Sequence, residues 1–113
     1  MKLTAVITLL SALLFAGSAL AQDPAAVKSQ ADSQVVAASK LMERAMTMLQ
    51  QSPMGGGREA AVALLAEAGQ MFEKSAGLYK ALYPNYASKE DVENSIRAMQ
   101  VCIQRIQEIR RAS

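Results

Sequence analysis

The chain has 113 residues, of which 51% are hydrophobic and only 4% aromatic, a length that fits a single domain. It contains no histidine and one cysteine, which removes the commonest general base and metal ligand and excludes an intrachain disulfide. A formal net charge of +2 arises from 12 basic and 10 acidic side chains without a basic stripe, so nucleic acid is not an expected partner.

The N-terminus reads as an address. Met1-Lys2 is a minimal positive start, Leu3 to Phe15 an apolar run, and Ala19-Leu20-Ala21 a small-x-small cleavage signal. The pattern predicts a secretory signal peptide over residues 1–21 and a mature domain over 22–113, periplasmic or extracellular. The apolar run is shorter than a membrane span, so no stable membrane insertion is expected once the leader is removed. Without Lys2 the balance falls to 11 basic against 10 acidic side chains.

A first helix is predicted over about 24–51. Asp23 can cap it, and Pro24 is tolerated at the first helical position. Ala31, Val35, Ala38, Met42, Ala45 and Leu49 then recur at steps of four and three, which keeps them on one side of a helix. Val36, Leu41, Met46 and Met48 flank that stripe. Pro53 ends the pattern, and Gly55-Gly56-Gly57 predicts a flexible connection. The glycines are followed by Arg58-Glu59-Ala60, not by the Gly-Lys-Ser/Thr ending of a phosphate cradle.

A second helix is predicted over about 58–83. Ala61, Leu65, Ala68, Phe72, Ala76, Tyr79 and Tyr83 form one stripe, with Leu64, Met71, Leu78 and Leu82 beside it. So wide an apolar face suits a helix with two neighbours. The small pairs Ala68-Gly69 and Ala76-Gly77 would let a neighbouring backbone approach. Pro84 disfavours helical geometry at Tyr83 and stops the helix.

A third helix is predicted over about 89–110. Ser88 is its N-cap, Glu90, Asp91 and Glu93 suit its first turn, and Arg105, Arg110 and Arg111 its last. Val92, Ile96, Met99, Ile103 and Ile106 form a narrow stripe at steps of four and three, expected to be the seam against the second helix. Similar lengths and short connections predict an all-α, up-down-up three-helix bundle behind the signal peptide. There is no tryptophan and no second copy of any segment, so the pattern is not that of a helical repeat array.

Chemistry is sparse. The carboxylates of Glu90, Asp91 and Glu93 are accounted for by a helix's first turn, so no catalytic residue, cofactor or metal site is assigned and no enzyme is expected. Six methionines remain after the leader, of which Met42 and Met46 stand one turn apart. Thioethers pack cores, cover adaptable binding surfaces, or with a thiolate hold Cu(I). Tyr79, Tyr83 and Tyr86 cluster near the second turn and should lid that end, their hydroxyls reaching water. Cys102 is either buried between helices or paired with another chain. Met42, Met46, Tyr79, Tyr83, Tyr86 and Cys102 are therefore the interaction candidates. The reading is an exported, non-catalytic protein working by contact with a protein partner or with itself. Its rivals are a periplasmic holdase-type chaperone and a copper carrier.

Overall fold

A computed structural model describes residues 23–51 and 56–112. The predicted leader and most of the glycine connection lie outside the described residues. Among the described residues there are three helices and no strand: α1 (Pro24–Gln51), α2 (Gly56–Leu82) and α3 (Lys89–Arg111).

Each visible helix end has a local cause. Asp23 accepts from the backbone of Ala25 through its carboxylate and from Ala26 and Val27 through its carbonyl, so the first orphan donors of α1 are met. Ser88 and Asp91 form a reciprocal capping box, each side chain accepting from the other's backbone N–H at 3.0 Å. The connection between α2 and α3 is anchored by Ala87, which is buried with Val27, Ala31, Leu78, Tyr79 and Leu82. At the other end α2 begins at Gly56. Two of the three glycines expected to be loose, Gly56 and Gly57, are therefore its first residues, since nothing in a helix's first turn requires a side chain.

Small residues set the packing. Ala31, Ala38 and Ala45 are fully buried on α1, as are Ala61, Ala68 and Ser75 on α2. Within each set the spacing is seven residues, the repeat that keeps one seam facing a partner. The Ser75 hydroxyl lies 3.2 Å from the Ala31 carbonyl and 3.0 Å from the Met71 carbonyl of its own helix. A side chain with one heavy atom beyond Cβ reaches the opposite backbone only when two helices are very close. Stepping seven residues in opposite directions from that contact sets Ala38 against Ala68 and Ala45 against Ala61, members of one core cluster.

A second seam follows the same rule one residue along. A Cβ placed on Gly69 would stand 3.5 Å from Cys102 Cβ, so α3 crosses α2 there. Seven-residue steps then set Ala76 against Ser95, both buried. They also bring Val62 to Ile109, and these two line a common depression. The pairs that admit neighbours are thus Ala68-Gly69 and Ser75-Ala76. Gly77, expected from the sequence to face a neighbour, is exposed with nothing within 4 Å of where its Cβ would be.

The seam on α3 also differs from the expected one. Ser95 and Cys102 are its buried residues, with Ala98, Met99, Ile106 and Ile109 packed around the core. Ile103, expected in the seam, is 48% exposed. Val92, Met99 and Ile106 of the expected stripe do pack on the core, but the close contact is centred on the small residues, and that turns Ile96 and Ile103 out of it.

Consecutive residues on a helix point about 100° apart. Seams built on Ala68 and on Gly69 therefore meet α2 from directions about that far apart, and α1 and α3 scarcely touch each other. Both pack on α2, which is the centre of the fold.

Stability should follow this geometry. Leu65→Ala, a fully buried deletion, should cost about 2–5 kcal/mol, and Ala68→Leu should overpack the first seam by about 1–3 kcal/mol. Ile103→Asp should change stability by no more than about 0.5 kcal/mol, and Gly77→Ala should add up to about 1 kcal/mol. Denaturant melts of the four variants check the order; a collapse of Ile103→Asp with an unaffected Ala68→Leu would reverse the assignment of the seam. Cys102, fully buried, should resist alkylation until denaturant is added, and rapid modification of the native protein would show that the second seam is open.

Candidate functional site

Between α1 and α3 runs a groove of about 310 Å³, lined by Val35, Ser39 and Met42 of α1, Phe72 and Tyr79 of α2, and Asp91, Asn94, Ser95 and Ala98 of α3. Its origin is the angle between the two seams. Leu65, Phe72 and Tyr79 stand seven residues apart on α2, between the stripe that meets α1 and the stripe that meets α3. Phe72 and Tyr79 form the floor of the groove, and Leu65 continues their line sealed in the core. Phe72 and Leu65 belong to the core, so the floor is rigid, while the walls carry partly buried Val35, Met42 and Ala98.

One end of the groove is polar. The Tyr79 hydroxyl donates a hydrogen bond to Asp32 of α1, tying the α1 wall to the floor. Burial is the main cause that pushes the Tyr79 phenol well above its ordinary range; the bond to Asp32, the Asp32 charge and the Asp91 charge add to it. All four favour the protonated phenol, so Tyr79 is a fixed donor and not a base. Asp32 also lies 3.9 Å from Lys28, one turn before it on an exposed surface, a pair of little energetic weight. Asp91 is held in the capping box at the start of α3. Two carboxylates on opposite walls thus flank a neutral phenol.

The residues singled out from sequence are divided by the fold. Met42 lines the groove and Met46, one turn on, is half-buried. Tyr79 lies in the groove floor with only 4% of its surface exposed, and its hydroxyl meets Asp32, not the solvent expected for a lid. Tyr83 and Tyr86 are exposed by 49% and 56% at the end of the molecule. Cys102 is in the second seam, outside the groove, where burial pushes its thiol pKa up; a buried neutral thiol is a poor nucleophile and ligand. Val35, Ser39, Asn94 and Ala98 were not anticipated. Their signal was the seven-residue spacing of Ala68-Gly69 and Ser75-Ala76, from which two seams and a gap between α1 and α3 follow.

Among the described residues there is no group of three or more His, Cys, Asp or Glu side chains placed to hold a metal ion. No helix among them is long and apolar enough to cross a membrane. No family model, no curated protein and no solved structure matches the chain.

Proposed function

We propose that this is an exported, non-catalytic protein that acts by protein–protein contact, receiving a helix of its partner in the groove between α1 and α3. The observation that carries the reading is the groove left between α1 and α3, which scarcely touch each other. Two close seams about 100° apart place the three helices as three corners of a four-helix arrangement, and the groove lies at the fourth. Its chemistry suits an amphipathic helix: Val35, Met42, Phe72 and Ala98 offer apolar contact, and Ser39, Asn94, Ser95, Tyr79 and Asp91 offer polar groups to set register. Export rests on the leader pattern of residues 1–21, and the non-catalytic reading on a sequence without histidine and with a single cysteine. The copper reading finds no such support, because Cys102 is sealed and Met42, Met71 and Met99 pack against the core.

Site-specific photocrosslinking in the native cell tests the reading. A probe at Ser39, exposed on the groove wall, should give discrete protein adducts that disappear when Ala98→Arg blocks the opposite wall. A probe at Gln70, exposed on the back of α2, should give none of them. Identical adducts from both positions, or none from Ser39, would defeat the groove as the contact site.

A further inference from the structure

The groove has a counterpart on the outer side of α3. Ile96 and Ile103 stand seven residues apart, and neither belongs to the two core clusters or to the residues packed on them. Ile103 is among the large hydrophobic side chains left most exposed. Lys89 and Arg110 continue the line one heptad to either side and are exposed. This is an amphipathic ridge with an apolar centre and cationic ends, on the side of α3 away from the groove.

We propose that the ridge of one copy docks in the groove of a second copy. This rests on the groove being a helix-binding site and names its occupant. Two features match. The first is charge: a ridge lying antiparallel to both walls, the orientation of both seams already present, brings Arg110 to the end that carries Asp32 and Asp91. The second is polarity: Ile103, about 10 Å before Arg110 along the helix, then lies level with Met42 and Ala98 of the groove. Exposed single pairs contribute little, but opposite charge on the two surfaces favours their encounter. The exposure of Ile103 thereby gains a cause, since its stripe is a seam facing another chain.

Groove and ridge are different surfaces of one molecule, so the contact is heterologous. Such a contact closes into a ring or continues as a filament, and it can be split into halves. In Ile103→Glu the ridge is disabled and the groove kept; in Ser39→Arg the groove is disabled and the ridge kept. Both sites are exposed, so each variant should melt like the wild type by circular dichroism; Ile103→Gln replaces the glutamate variant if that one does not.

Sedimentation velocity of the purified protein should show mass rising with concentration for the wild type. Each variant alone should be monomeric, with at least a tenfold weaker self-association. An equimolar mixture of the two should form a dimer and nothing larger, because one intact groove meets one intact ridge. A wild type that stays monomeric across the range, a mixture that stays monomeric, or an association indifferent to Ile103→Glu would each overturn the proposal. None of those results would touch the crosslinks at Ser39, which report a helix from any partner. Crosslinks of a foreign protein alone, beside a monomeric wild type, would assign the groove to that protein instead.

Discussion

The closeness of helix backbones at alanine, glycine and serine is the constraint from which the rest of this structure follows. Helix spacing in proteins is about 8–10 Å and depends on the side chains at the contact. Here those side chains are Ala31, Ala38 and Ala45 against Ser75, Ala68 and Ala61, and Gly69 against Cys102. Close contact brings dispersion from backbone atoms as well as side chains, and ordering an alanine loses almost no rotamer freedom. It explains how a domain with 4% aromatic residues assembles a defined core, with Leu65 and Phe72 as its few large members.

Because both seams are carried by one helix on adjacent residues, their mutual angle is not adjustable. It is given by the helical repeat itself. The groove is therefore neither an accident of loop placement nor a consequence of side-chain motion. It is the gap left between α1 and α3 above the buried face of α2, and the Tyr79–Asp32 hydrogen bond pins one wall to its floor. A groove built this way on helices with a buried core keeps a fixed shape.

The helices were legible because their punctuation is explicit: Asp23-Pro24, Pro53, Pro84 and Ser88 with Asp91 bound segments of clear period. The seam of α3 was legible only in part, and the reason is physical. Periodicity locates faces by hydrophobicity, and Val92, Ile96, Met99, Ile103 and Ile106 make the strongest such face. Val92, Met99 and Ile106 pack on the core, but the contact is centred on the neighbouring line through Ser95 and Cys102, where less bulk permits a closer approach, and Ile96 and Ile103 are left out of it. Gly77 misled for the complementary reason, since a glycine permits close contact without requiring it. The groove was hidden in the same way. Its walls include Ser39, Asn94 and Ala98, residue types that carry no periodic signal, and only the placement of two seams brings them together.

The order of contacts in space copies the order of helices in the chain: α1 meets α2, α2 meets α3, and α1 and α3 scarcely meet. No seam waits for a segment two helices away, so most contacts join parts of the chain that are near in sequence, the arrangement associated with fast folding. For a polypeptide emerging N-terminus first, from a ribosome or through an export channel, each helix finds its partner in the next one to appear. The first hairpin can close on its alanine seam while the third helix is still being delivered. The groove is then the last feature to exist, completed only when α3 settles over Gly69, so no incomplete chain carries it.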